Sequence, residues 1–364
     1  MCLLLQFFRR IAGKDSDSYA DFSDEFPLFH IDFHKEFSII LLTELLGANN
    51  TEDQAELPGS AFLLLWSILM ELKSPLDIEE QLAELNRHHI QVDDPGKARE
   101  ILTKVGYYRL SGYWLKYKYA ETDTSLSQVY SIYAFDEELR SLLRRYIEIT
   151  EMFYKNLIGT EFALLKCKEP PHDQHYDENS YYDKKGIRAT LDRFETERRY
   201  YRESDIVKHH KAKYANKMPL WVMMELMTYS NMSMFYNALY ISDKERISGK
   251  IGISYKTLEN HLHCLSVLRN KCAHGARLYG IKITPPARFT KDFLKSHPEI
   301  SNDSLFAYVL VLIKRLPTDD ERRAFRDQLN RLVRKYEAQI NLSDIGFPED
   351  YRKVLYLRNL KTIE

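Results

Sequence analysis

Tyr130-Ser-Ile-Tyr-Ala-Phe-Asp-Glu-Glu-Leu-Arg-Ser-Leu-Leu-Arg-Arg-Tyr-Ile-Glu-Ile-Thr-Glu-Met-Phe-Tyr-Lys-Asn-Leu-Ile-Gly-Thr-Glu-Phe-Ala-Leu-Leu-Lys-Cys-Lys168 contains no proline and one glycine. Phe135, Leu139, Leu142, Leu143, Tyr146, Ile149, Phe153, Leu157 and Phe162 recur at helical spacing and approximate one apolar stripe. Pro170-Pro171 closes the stretch. A helix this long must be covered by other elements, and the flanking sequence supplies more helices rather than strands.

Upstream, Ser74 suits a cap, Pro75 a first helical position and Asp77 the acid of a capping box, ahead of Ile78, Leu82 and Leu85. Asp94-Pro95 opens a short helix that stops near Gly106. Downstream, a polar loop runs to about Gly186, and a highly charged helix spans Arg188 to about Arg202. After Pro219 an apolar helix is predicted from Leu220 to about Leu239, carrying Trp221, Met224, Leu226 and Met227. Further helices are predicted over Lys256–His274, closed by Gly275, over Ser304–Leu316, and from the capping box at Thr318 and Glu321 to near Ile340. No internal repeat and no alternating strand pattern is present. The reading is an all-α domain over 70–340 with a C-terminal tail over 341–364.

Residues 1–69 hold 4 Lys+Arg against 11 Asp+Glu and show no sustained period. We expect them to be a poorly structured extension, with Met70 as an alternative start. The whole chain has 52 Lys+Arg and 53 Asp+Glu, so the remainder carries 48 basic and 42 acidic residues, a net of +6. That balance excludes wholesale coating of nucleic acid and confines any polyanion site to a local patch. Four scattered cysteines do not make a disulfide framework and fit a reducing, cytoplasmic setting. The longest apolar run, Ala61–Met70, is about half of what a membrane span needs.

The chemistry concentrates in Leu265-Ser-Val-Leu-Arg-Asn-Lys-Cys-Ala-His-Gly-Ala-Arg277, which places Arg269, Asn270 and His274 at the end of a helix. A guanidinium suits phosphate, and an imidazole suits proton transfer near neutral pH. Together they fit metal-independent RNA cleavage, with no cofactor. On an ideal helix Arg269 and His274 stand about 140° apart, so either a turn at Gly275 or a two-fold homodimer would have to unite them. Leu258, His261, Leu262, Leu265, Leu268 and Cys272 form the core stripe of this helix, and Arg269 and His274 lie off it. Zinc is the competing reading of His261, His263, Cys264, Cys272 and His274, but there is no C-x-x-C and both cysteines fit the apolar stripe. Lys271, Arg277, Arg109, Lys208 and Lys211 are the candidate RNA-binding cations. The Tyr-rich run Tyr107–Tyr119 fits a packing joint between helices better than a base-stacking platform.

Four blocks in order, Ile101-Leu-Thr-Lys-Val-Gly-Tyr-Tyr-Arg-Leu-Ser-Gly-Tyr-Trp114, Ile132-Tyr-Ala-Phe-Asp-Glu-Glu-Leu-Arg140, Met218-Pro-Leu-Trp-Val-Met-Met-Glu-Leu-Met227 and Leu268-Arg-Asn-Lys-Cys-Ala-His-Gly275, resemble the Abi-like family of bacterial abortive-infection proteins of the AbiD and AbiF type. That family is placed in the HEPN superfamily. The resemblance implies an all-α HEPN-like bundle with additional helices and a metal-independent endoribonuclease acting as a dimer. It also implies a role in phage defence, with Arg269, Asn270 and His274 as the catalytic motif. RNA is the implied substrate, and an RNA or protein antidote is an expected partner. A non-catalytic RNA- or protein-binding module is the alternative reading of the same residues.

Overall fold

The computed structural model describes residues 72–120 and 123–356. The chain divides into two units, Met1–Pro75 and Leu76–Glu364, so the expectation for residues 1–69 lies outside the described residues. The all-α expectation holds: among the described residues there are fourteen α-helices and one pair of two-residue strands. No helix there is long and apolar enough to cross a membrane.

Helix α1 (Ile78–Arg87) starts later than Ser74 would place it, because Asp77 is itself the N-cap and Glu80 completes the capping box. The acid three residues beyond the cap outcompetes the proline as the start signal. Helix α2 (Pro95–Val105) begins behind the Asp94 cap as the sequence predicts. Gly106, at φ 88°, turns the chain directly into α3 (Tyr107–Ala120), so the Tyr-rich run is itself a helix. Strands β1 (Ile90–Gln91) and β2 (Thr124–Ser125) pair in parallel, Ile90 opposite Thr124.

The spine is α4 (Leu126–Lys166), whose 41 residues span about 60 Å. Its C-terminal half rotates off the predicted stripe. Ile147, Thr150, Tyr154, Ile158 and Phe162 are buried there, while Ile149, Phe153 and Leu157 are half-buried. The core-facing residues advance in steps of three and four, and the neighbouring apolar positions cover the flank of the helix. Phe162 stacks on Tyr181 at 5.3 Å and meets Phe235 edge-on at 5.2 Å. Helices α5 (Lys184–Tyr200) and α6 (Asp205–Lys213) follow.

The single helix predicted over 220–239 is two, α7 (Leu220–Leu226) and α8 (Tyr229–Ala238). Thr228 breaks it by turning extended and accepting the Asn231 amide on its hydroxyl at 3.2 Å. Methionines 223, 224 and 227 enter the core, and Trp221 is left exposed. Then come α9 (Ile241–Gly249), α10 (Tyr255–Ala273) and α11 (Lys291–Ser296). Helix α12 (Leu305–Arg315) is apolar on every side and buried from Leu305 through Ile313, which makes it the centre of the bundle. Helix α13 (Asp319–Tyr336) starts at the expected Thr318 capping box. Beyond it, Ile345, Phe347 and the Tyr351, Val354 and Leu355 side chains of α14 (Tyr351–Leu355) are buried.

The rotated register of α4 is testable by truncation. Ile158→Ala should cost about 2–5 kcal/mol in urea unfolding, as a fully buried large-to-small change does. Leu157→Ala should cost less than half as much. Equal costs would restore the stripe predicted from sequence.

Candidate functional site

Helix α10 carries the motif. Ser254 caps it by accepting the Thr257 amide at 3.1 Å, and Leu258, His261, Leu262, Leu265, Leu268 and Cys272 bury one face. The helix stops at Ala273. His274 is the C-cap, Gly275 follows at φ 65°, and the Ala276 amide returns to the Lys271 carbonyl at 2.9 Å. This is the closing geometry that a left-handed glycine permits. A Cβ at Gly275 would also stand 3.2 Å from the Arg109 guanidinium.

The turn beyond His274 is gripped residue by residue. Arg109 of α3 donates to the Gly275 carbonyl at 2.7 Å. Arg140 of α4 donates to the Ala276 carbonyl at 3.4 Å. Arg277 donates back to the Gly112 carbonyl of α3. The Leu278 amide donates to Asp136 Oδ2 at 3.1 Å, and the Tyr113 hydroxyl donates to the same oxygen at 2.6 Å. Arg140 pairs with Asp136 one helical turn away, and both side chains are buried. Burial pushes the Asp136 carboxyl up from its usual range, while Tyr113, Arg140 and the Leu278 and Tyr279 amides pull against it. The donors from Tyr113, Arg140 and Leu278 all converge on Asp136 Oδ2 and offset its burial there, while Oδ1 is buried without a hydrogen-bond partner among the described residues.

Arg269 is half-buried on the side of α10 that meets α4. Its Nε lies 3.8 Å from Glu151 Oε2, and Glu151 is held in turn by Lys155 at 2.9 Å. Its Nη1 reaches Asn270 Oδ1 at 3.4 Å, and Asn270 Nδ2 donates to Ser230 of α8 at 3.1 Å. The imidazole of His274 is exposed and has no hydrogen-bond or ion-pair partner among the described residues. The structure therefore joins the Arg269 side chain to Asn270, and the His274 backbone amide donates to the Asn270 carbonyl at 3.0 Å, while no side-chain hydrogen bond or ion pair links Arg269 to His274 among the described residues.

The remaining candidates divide. Arg109 and Arg277 border the motif, each with one guanidinium edge on a backbone carbonyl, and Lys271 is half-buried in the last turn of α10. Lys208 and Lys211 lie on α6, where Lys208 pairs with Glu203 at 3.2 Å, and neither bonds to the motif. Among the described residues no three His, Cys, Asp or Glu side chains group as a metal would require. His261 donates from Nε2 to the Arg288 carbonyl at 2.9 Å, and burial pushes its pKa down to about 3. Burial likewise pushes the Cys264 and Cys272 thiols up to about 12, so they are inert core groups.

The sequence reading missed Asp136, Arg140, Tyr113, Glu151, Lys155 and Ser230. Four of these, in two pairs, carried a signal. Asp136 and Arg140 are spaced i,i+4 with the acid in register with the apolar face, and Glu151 and Lys155 repeat that spacing. Ser230 gave none, since its contact depends on how α8 packs on α10.

The family model described as Abi-like protein matches residues 100–280. Over that stretch, which holds α3, α4 and the whole motif, the chain belongs to the Abi-like family. No curated protein and no solved structure was found to match it.

Asp136→Ala should destabilise the fold by about 3–5 kcal/mol in denaturant titration, because it strands the buried Arg140 charge. Tyr113→Phe should cost about 1.5–3 kcal/mol, the worth of a hydrogen bond to a charged group. Losses below about 1 kcal/mol for both would show that Asp136 does not clamp the turn.

Proposed function

We propose that this chain is an abortive-infection endoribonuclease of the HEPN type, acting in phage defence through Arg269, Asn270 and His274. One observation carries this reading: an exposed imidazole, without a hydrogen-bond or ion-pair partner among the described residues, stands on a rigidly held turn at the end of the helix that presents a half-exposed arginine. An imidazole so placed can exchange protons with a bound substrate, and a guanidinium with unused N–H donors can hold a phosphate.

The reaction uses the internal nucleophile of RNA. The 2′-oxygen forms a bond to the adjacent phosphorus, and the bond from phosphorus to the 5′-oxygen breaks. The 2′-proton leaves to a base and the 5′-oxygen gains a proton, giving a 2′,3′-cyclic phosphate and a 5′-hydroxyl. His274 serves at one of these two proton transfers. Arg269, oriented by Asn270, stabilises the charge that builds on the phosphoryl oxygens. No activated water is needed for this step. With no side-chain bond between Arg269 and His274 among the described residues, a homodimer in which the two motifs meet across a two-fold axis would bring the two groups together on one phosphate. An RNA or protein antidote would act by occluding the same surface.

His274→Ala and Arg269→Ala should each lower RNA cleavage by about 10²–10³-fold or more with unchanged thermal stability, and Arg269→Lys should rescue poorly. The product should carry a 2′,3′-cyclic phosphate, chelator should not inhibit, and DNA should stay intact. Mixed Arg269→Ala and His274→Ala chains should recover part of the activity if sites are shared between protomers. Retained cleavage by His274→Ala would overturn the mechanism and favour a binding module.

A further inference from the structure

We propose that the groove between α4 and α13, where Arg145, Arg331 and Lys335 converge, is a second phosphate site that holds a backbone phosphate of the bound RNA strand. The proposal rests on the RNA reading given above and adds a site to it.

The groove, about 450 Å³, is lined by Glu138, Leu142, Arg145, Gln328, Arg331, Leu332 and Lys335. Three cations face one acid there. Glu138 is already occupied, taking Lys335 at 2.6 Å and the Tyr336 hydroxyl at 2.7 Å. Arg145 and Arg331 are exposed and have no acidic partner among the described residues. Their isolation is not for want of nearby acids. Asp327, one turn before Arg331 on α13, accepts instead from the Tyr356 hydroxyl at 3.0 Å. Three other arginines of the same helix are engaged, Arg322 with Asp319 at 3.0 Å, Arg323 with Asp320 at 3.3 Å and Arg326 with the Leu355 carbonyl at 3.0 Å, whereas Arg334, which does not line the groove, has no acidic partner among the described residues.

Arg145 is also supported from beneath. Its guanidinium lies 5.7 Å from the centre of the Tyr146 ring, and that ring is fixed by Gln328 at 2.6 Å and by edge contact with Phe325 at 4.9 Å. A guanidinium held over an aromatic face keeps its outer edge for a ligand and loses little freedom on binding. Two guanidiniums and an ammonium around one concavity match the oxyanions of a phosphodiester and repel a carboxylate-poor cationic ligand.

The location fits the same strand that reaches the motif. Arg145 precedes Glu151, the partner of Arg269, by six residues on α4, or about 9 Å along the helix axis. Arg145 lies on the side of α4 that meets α13, where it lines the groove with Arg331 and Lys335. A strand with its reacting phosphate at Arg269 brings another phosphate to the groove within a few nucleotides.

The test uses the full chain carrying His274→Ala, so that RNA is bound and not consumed. A fluorescein-labelled single-stranded oligoribonucleotide of about 12 nucleotides is titrated over a KCl series from about 50 to 400 mM, where the slope of log Kd against log salt counts phosphate contacts. Adding Arg145→Ala and Arg331→Ala should lower that slope by roughly 1.4, about 0.7 for each lost contact. Affinity at the lowest salt should fall at least ~10-fold, with thermal stability unchanged. The same pair changed to Lys should keep most of the slope, and Arg323→Ala should leave it intact. An unchanged slope in the double Ala variant overturns the proposal. So does a result in which the double variant loses binding of inorganic tripolyphosphate but keeps its RNA slope, since the site would then serve a free polyphosphate. If the His274→Ala chain binds no RNA at any salt, the RNA reading itself fails and the groove assignment falls with it.

Discussion

The Asp136 carboxylate is the constraint on which the motif end of this molecule depends. It is fully buried in α4, yet it collects the Tyr113 hydroxyl from α3, the Arg140 guanidinium from its own helix and the Leu278 amide from the segment after α10. Three parts of the chain that are distant in sequence meet on one carboxylate oxygen. A buried charge is costly unless its donors are all in place, so the three parts come together or not at all. Arg109 and Arg277 extend the grip in opposite directions, each from a side chain on one partner to a backbone carbonyl on the other. His274 sits immediately before the clamped residues and inherits their fixed position, while its own ring stays exposed.

The motif combines rigidity and availability in different residues. Asn270 is tied to Ser230 and touches Arg269, so the arginine approaches from a defined direction. Glu151 offsets the arginine charge along its Nε edge, and Lys155 offsets Glu151, which leaves the local balance positive. The histidines and cysteines that suggested a metal are separated by the helix itself. His261, Cys264 and Cys272 face the core, and His263 and His274 face outward.

Much of this was legible in the sequence where local rules decide. The end of α10 at Gly275, the Thr318 capping box and the apolar α12 follow from caps and periodicity. The break at Thr228 was hidden inside a continuous apolar run, because one hydroxyl cap outweighs the helix preference of the methionines around it. The drift of the α4 stripe was hidden because both flanks of the helix carry apolar residues and only packing selects which face is deepest. The clamp was hidden for a different reason. Its partners in the turn are the backbone carbonyls of Gly275 and Ala276, which accept, and the backbone amide of Leu278, which donates, and none of these carries a residue-type signal.

Asp136 holds the segment after His274 in place. Amide hydrogen exchange measured residue by residue on the wild-type chain and on Asp136→Ala tests it directly, with each site normalised to the protection of Val309 in the buried α12. Leu278 and Tyr279 should exchange only through global opening in the wild type. In the variant they should become at least ~10-fold faster relative to Val309, with Ala276 following. Leu278 and Tyr279 keeping their protection relative to Val309 in Asp136→Ala would contradict it.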